Sequence, residues 1–497
     1  MNADHKIDSG GVITSNATIR ASASRRRPAH RCFAQPATKN VETLLQREML
    51  ERRIPGLQIA VVRNGKIVLL RAFGIADLQH SVPVTNKTVF PIYSCTKAFT
   101  GVAVMQLVER GKVDLAAPIS RYLEGLPPSW QPITVRQLLT HVSGLPNILD
   151  LLDPVTFGLP RGTSEEALWT KLKSLPALAQ PGERFSYNQT NYALLGKIID
   201  KLSGKPFAQV FNEGQFQIAG MQSTGFGDSR DILPGATPTY RYIRSRDGVR
   251  LDQETLVKDY AEFPAFRRTA SGMNSTAEDL ARWLIALQQR KLLHTNSALN
   301  TLWTAGTFNN GQPTQWAIGW MTKPRPKHRA VIATGGSRAA LFVYPEDDLG
   351  IVVLTNLAGA FPEEFVDELA GYYKPEIAAF DPVTALRIQL RKRGFEHAIA
   401  VFQELKSKDA DFQPLENDLN DWAYRMMNGG GKPTEALEIF KLNVFLYPNS
   451  ANVYDSVAEA YANNGNRELA ISNYKRSLEL DPKNTNAAQQ LKKLGAP

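Results

Sequence analysis

Ser94-Cys95-Thr96-Lys97 is the first place in this sequence where side-chain types and spacing suit covalent chemistry. On a helix the fourth residue lies about one turn beyond the first, on the same face, which brings the lysine amine to the serine hydroxyl. A serine is a weak nucleophile until a neighbouring base takes its proton. Lysine serves as that base only where burial or a nearby cation lowers its pKa, because an ammonium cannot accept a proton. The following residues, 98–108, are apolar on nearly every face. The lysine is therefore expected at the mouth of a buried helix, with the serine at the positive end of its dipole. Spacing alone discriminates poorly, since Ser472-Asn473-Tyr474-Lys475 fits as well. In that copy Tyr474 has a packing role in a helical repeat, and Lys475 is expected in solvent.

The wider context of Ser94 carries a resemblance. Phe90-Pro91-Ile92-Tyr93-Ser94-Cys95-Thr96-Lys97 resembles the active-site segment of the serine β-lactamase and penicillin-recognising family, above all its class C, D-aminopeptidase and esterase branch. Further stretches look like that family, in its order: residues 133–146 (ITVRQLLTHVSGLP), 181–196 (PGERFSYNQTNYALLG), 272–283 (GMNSTAEDLARW) and 344–356 (YPEDDLGIVVLTN). The resemblance spans residues 41–374. It implies a serine hydrolase that forms an acyl-enzyme at Ser94 on a small ester, amide or peptide substrate, with no metal or organic cofactor. A penicillin-binding protein or β-lactamase is the alternative within the enzyme class.

The family's second motif falls on Tyr187-Asn188-Gln189 and implies Tyr187 as a proton shuttle between Ser94 and the leaving group. An ordinary phenol titrates near ~10, so a basic Tyr187 needs the Lys97 cation to favour phenolate. Which of Lys97 and Tyr187 is the base stays open. Gln189 stands where the family has Asn and keeps an amide for the substrate and Lys97. The third motif, Lys-Thr-Gly or His-Thr-Gly in the family, matches Ala333-Thr334-Gly335-Gly336, so Ala333 replaces the cation. The resemblance gives Thr334 to substrate positioning and the Gly335-Gly336 pair to close backbone approach. It places the N–H groups of Gly336 and Ser94 in the oxyanion hole. Loss of the cation removes a partner for the carboxylate shared by β-lactams and peptide C-termini. Arg338 is expected on the opposite side of an alternating strand, as a surface or salt-bridged arginine. By the same resemblance His141 props a loop. Cys95, about 100° around the helix from Ser94, is expected to be a small buried hydrophobe.

The elements that must position these groups follow from patterning. Apolar runs at residues 57–62 and 66–73 flank Asn64-Gly65, a strong hairpin signal. Strand signals return at 315–321, 330–332, 339–344 and 350–354, a helix follows at 362–373, and residues 115–270 read mainly as helices. The expected architecture is an α/β (α+β) two-part fold, an antiparallel sheet flanked by helices beside a helical subdomain, with the site in the cleft between them. Residues 150–174 and 230–256 are expected to be loops that set acyl preference.

Beyond residue 374 an internal repeat appears. Ala436, Leu437, Phe440, Leu446 and Pro448 recur 34 residues later as Ala470, Ile471, Tyr474, Leu480 and Pro482, the period of tetratricopeptide helix pairs. The domains expected are therefore a disordered extension over 1–40, a hydrolase over 41–375 and all-α repeats over 376–497. Stacked helix pairs present a concave surface. A protein partner is expected there if the hydrolase fold is weakly catalytic and the chain acts as a binding module.

Composition narrows the remaining classes. Fifty-eight basic against 48 acidic residues give a net charge of +10 over 497 residues, and no nucleic-acid motif accompanies it. Two cysteines, Cys32 and Cys95, exclude a disulfide framework and a cysteine-rich zinc module. No apolar run reaches the ~18 residues of a membrane helix. Residues 1–40 contain no export-signal core, whereas the family resemblance points to an extracytoplasmic setting.

Overall fold

The computed structural model describes residues 35–246, 249–323, 325–429 and 431–495. Most of the extension expected over 1–40 lies outside them; its end, from Gln35, already belongs to helix α1 (Gln35–Glu51). Strands β1 (Gly56–Arg63), β2 (Lys66–Asp77) and β3 (Val82–Pro83) follow as an antiparallel meander. Asn64 and Gly65 turn the first hairpin at φ 50° and 65°, the positive values that match strand twist. Strands β4 (Phe90–Pro91), β5 (Gly225–Phe226) and β8 (Met273–Ser275) form a small sheet, of which β4 leads into the central helix α2 (Thr96–Glu109). Strands β6 (Thr239–Arg246) and β7 (Val249–Asp259) make a separate hairpin. Strands β9 (Met321–Lys323), β10 (Ala330–Gly335), β11 (Ala339–Tyr344) and β12 (Leu349–Thr355) return to the main sheet, ordered β3-β2-β1-β12-β11-β10-β9. Its two ends in sequence thus meet at β1 and β12, antiparallel with Ile59 opposite Val353.

Both faces of this sheet are covered, and alternation assigns each side chain to a face. Ala60, Val62, Val352 and Leu354 join the core around α2. Leu57, Ile59, Val61, Ile351 and Val353 join a second core with α1 and the helix Glu363–Ala370. Helix α2 is buried continuously from Thr96 to Leu107, as its all-round apolar sequence requires.

Three expectations fail. Residues 315–320 are not a strand: the Ala317 N–H donates to Trp320 O at 2.7 Å and closes a turn, so β9 begins only at Met321. The hairpin β6–β7 falls largely on 230–256, read as a loop within a mainly helical stretch. Its strands are so polar that apolar periodicity is faint, and only Asp247-Gly248 marks a turn. Within 150–174, read as a loop, residues Glu165–Ser174 form a helix capped by Ser164.

The C-terminal region is all-helical, with consecutive antiparallel helices at Glu416–Asn428, Pro433–Leu446, Ala451–Asn463, Arg467–Leu480 and Thr485–Lys493. Ala436 and Phe440, and their counterparts Ala470 and Tyr474, are exposed by 2% or less. No helix among the described residues is long and apolar enough to cross a membrane.

A buried ionic cluster joins this region to the sheet domain. Glu48 on α1, fully buried, receives Arg52 Nε at 2.8 Å and a guanidinium nitrogen of Arg391 at 2.7 Å. Arg391 lies on the helix Pro382–Arg393 and also reaches Glu368 at 3.1 Å. Burial alone raises the Glu48 pKa, but Arg52, Arg391 and Arg387 outweigh it and hold the carboxyl well below the usual carboxylate range. A carboxyl depressed by folding contributes stability above its unfolded pKa of about 4.3 and loses it as pH falls further. Glu48→Gln is expected to cost about 3–5 kcal/mol at neutral pH by leaving arginines unpaired. Thermal unfolding followed across a pH series should show variant and parent converging on the acid side.

Candidate active site

The turn that carries Ser94 is held from three directions. Residues Tyr93–Cys95 form a single 3-10 turn that runs into α2. Tyr93 adopts φ 46°, an uncommon value for a residue with a side chain, and its surroundings fix it there. The ring meets Phe263 edge-on at 5.3 Å, and the Arg338 guanidinium stands 4.6 Å above it. The Thr96 hydroxyl donates to Tyr93 O at 2.6 Å. Ile92 N–H bonds to Met273 O of β8. Gly335 lies directly beneath, where a Cβ would collide with the Ile92 carbonyl.

Lys97 is completely buried. Its Nζ lies 2.9 Å from Gln189 Oε1, 2.9 Å from Ala270 O and 3.2 Å from Ser94 Oγ. No carboxylate is within ion-pair distance of it among the described residues. Burial, reinforced by the Arg267 charge, holds its pKa well below the ordinary lysine value.

Tyr187 and Gln189 arrive from a distant segment. Asn188 caps the helix Gln189–Ser203, accepting from the Thr190 N–H, while its amide donates to Leu145 O. Gln189 therefore begins the helix with its side chain turned to Lys97, and Tyr187 sits just outside. The Tyr187 ring centroid is 4.7 Å from Lys97 Nζ. Burial pushes its phenol up to about 12, against a smaller downward pull from Ser94 and Gln189. The shift favours the neutral phenol, and the residue keeps 38% of its surface exposed where it lines the cleft.

His141 packs on Tyr187 with ring centroids 4.6 Å apart. Its Nδ1 accepts the Asn188 N–H at 3.0 Å, and its carbonyl accepts the Ser186 N–H. Fully buried, it has its pKa driven well down, chiefly by burial, which favours the neutral ring. Cys95 is buried too, its thiol directed at Ala333 O.

The third motif supplies backbone and one hydroxyl. Gly336 and Ser337 turn β10 into β11 with φ 55° and 56°. With Thr334 they line the cleft above Ser94. Gly335 packs below instead, and Ala333 is buried and uncharged. Arg338 is paired with Asp259 of β7 and donates to Gly336 O at 2.9 Å. It braces the glycine turn from outside the cleft.

The opposite wall had no signal in catalytic spacing. Phe185, Phe308, Pro313, Trp316 and Met321 line a cleft of about 710 Å³. The Phe308 turn is anchored by hydrogen bonds from Asn309 to Gly182 O and Pro181 O. No described residue of 150–174 or 230–256 lines it. Asn309-Asn310-Gly311, flanked by aromatics, is the sequence trace of this wall. Arg267, only 4% exposed and donating to Phe157 O, left no trace in spacing.

Known proteins share this architecture. The chain is 27% identical over 351 residues to Protein flp of Staphylococcus aureus strain MW2, an alignment that takes in 67% of this chain. It spans only 65% of that relative's length. The octameric penicillin-binding protein homologue from Pyrococcus abyssi is 25% identical with a TM-score of 0.59, over 71% of this chain and 81% of its own. D-amino acid amidase from Ochrobactrum anthropi SV3, in complex with L-phenylalanine amide, shares the fold at 23% identity and TM-score 0.58, over 69% of this chain and 99% of its own. A family model described as Beta-lactamase matches residues 38–371, most of the chain, which therefore belongs to the beta-lactamase family.

Proposed function

We propose that this chain is a serine hydrolase that forms an acyl-enzyme at Ser94 on a small ester or peptide-like amide. The surroundings of the Lys97 amine carry this reading. A neutral amine has two N–H donors and one lone pair. Gln189 Oε1 and Ala270 O, at 2.9 Å each, take both donors, which leaves the lone pair for Ser94 Oγ at 3.2 Å. Burial without a carboxylate partner favours that neutral form. Lys97 then takes the Ser94 proton as the hydroxyl attacks a carbonyl. Tyr187 works as the protonated phenol: it gives its proton to the leaving group and is resupplied from Lys97. The N–H groups of Ser94 and Gly336 hold the oxyanion. Gln189, Thr334 and the Gly335-Gly336 backbone position the substrate. Water attacks the acyl-enzyme with the proton transfers reversed.

This reading assigns the hydrolase to residues 41–375 and helical repeats to 376–497, where a protein partner would dock. The recurrence of buried alanine and aromatic positions at 34 residues supports the second assignment. So does a family match that ends at residue 371.

A fluorophosphonate probe should form an adduct on the peptide containing Ser94, found by mass spectrometry and lost in Ser94→Ala. Tyr187→Phe should retain labelling but lower kcat by about 10²–10⁴-fold.

The pH profile tests the base. Lys97 acts deprotonated, so kcat/KM should rise with pH through a limb well below the ordinary lysine value of 10.5. It should then stay level until Tyr187 begins to ionise, near about 12. Lys97→Arg, which stays protonated, should lose both activity and limb. A rate that declines from neutrality towards alkaline pH would exclude Lys97 as the base.

A further inference from the structure

We infer that the hydrolase site selects uncharged esters or amides that carry an aromatic or bulky apolar group, and discriminates against substrates with a carboxylate near the scissile carbonyl. This deepens the reading of Ser94 as an acyl-enzyme nucleophile and rests on it.

The observation is the mismatch between the two walls of the cleft. One wall offers Phe185, Phe308 and Trp316, all lining the space beside Ser94. The other, where Met321 packs against Thr334, offers the Thr334 and Ser337 hydroxyls and glycine backbone, polar groups that bring no positive charge. None of the described residues lining the cleft carries a formal charge at neutral pH. Two cations lie nearby, and neither lines the cleft. Arg338 is held by Asp259 and Gly336 O, with its side chain 5% exposed. Arg267 donates to Phe157 O from a buried position. Ala333 supplies no charge where the family motif has one.

A carboxylate brought into this cleft loses water and meets no charged side chain among the described lining residues, which is costly. An aromatic ring leaves water and meets rings already in place. The apolar wall is also preorganised. Phe185 lies 6.0 Å from Trp316, which packs edge-on against Tyr187 at 5.3 Å. Gly306 N–H to Trp316 O and Phe308 N–H to Gln312 O close the loop that carries the wall. Little ordering cost therefore remains for the substrate to meet.

The test compares initial rates by pH-stat on the full chain. Benzyl acetate or ethyl phenylacetate should exceed ethyl acetate in kcat/KM by about 10–100-fold. Diethyl adipate should exceed monoethyl adipate, its carboxylate counterpart, by about 100-fold. Phe308→Ala, on a partly exposed turn, should shrink the aromatic-to-ethyl acetate ratio by about tenfold. Phe308→Arg should narrow the gap between the two adipates by providing a counter-ion. Equal rates for aromatic and small esters, or for both adipates, would overturn the inference while fluorophosphonate labelling of Ser94 left the hydrolase reading intact. Absence of both labelling and ester hydrolysis would defeat the two together.

Discussion

An amine enclosed by protein with no carboxylate in contact is the constraint on which the rest of this structure depends. Keeping such a group charged costs several kcal/mol in desolvation, so the enclosure itself sets the protonation state. The enclosure is assembled from three remote parts of the chain: α2, the Gln189–Ser203 helix, and the segment leading into β8 that provides Ala270 O. The Thr100 hydroxyl ties that last segment to α2 again, through Thr269 O at 2.6 Å. The all-round burial of α2 follows from the same demand, because a helix with one wet face would hydrate the amine.

How much of this can be read in the sequence depends on distance along the chain. Ser94 and Lys97 are legible because helix geometry alone brings residues three apart together. Tyr187 and Gln189 reach the site through contacts to His141, Leu145 and Lys97. Those contacts bridge more than forty residues, and only the family resemblance points to them. The sheet is legible at its hairpin and in its alternating strands, whose two buried faces follow period two. The β6–β7 hairpin is not, since a polar strand displays little periodicity. Arg267 and the site role of the Phe308 turn are hidden for another reason: solitary side chains outside the regular elements become a site only when folding brings their loops together.

The sequence expectation for Arg338 illustrates how a lost motif residue need not be replaced in kind. With Ala333 uncharged, the guanidinium could have entered the cleft. Its pairing with Asp259 instead draws it outward, across the Tyr93 ring and onto Gly336 O. The charge buttresses the backbone on both sides of Ser94 and leaves the described lining of the cleft neutral. Hairpin β6–β7 thereby supports the site without lining it.

The ionic cluster around Glu48 bears on where this protein can be divided. A chain shortened just after the family-matched region would strip Glu48 and Glu368 of Arg391. It would also remove Arg425 from Glu363 and Glu364. Arg53 and Arg244 would lose the Gly429 and Asn428 carbonyls they hold. The border drawn by similarity is therefore not a seam in the fold: the helical tail serves as counter-ion to the part that bears Ser94, and excision would leave that part's carboxylates and guanidinium groups facing solvent without their mates.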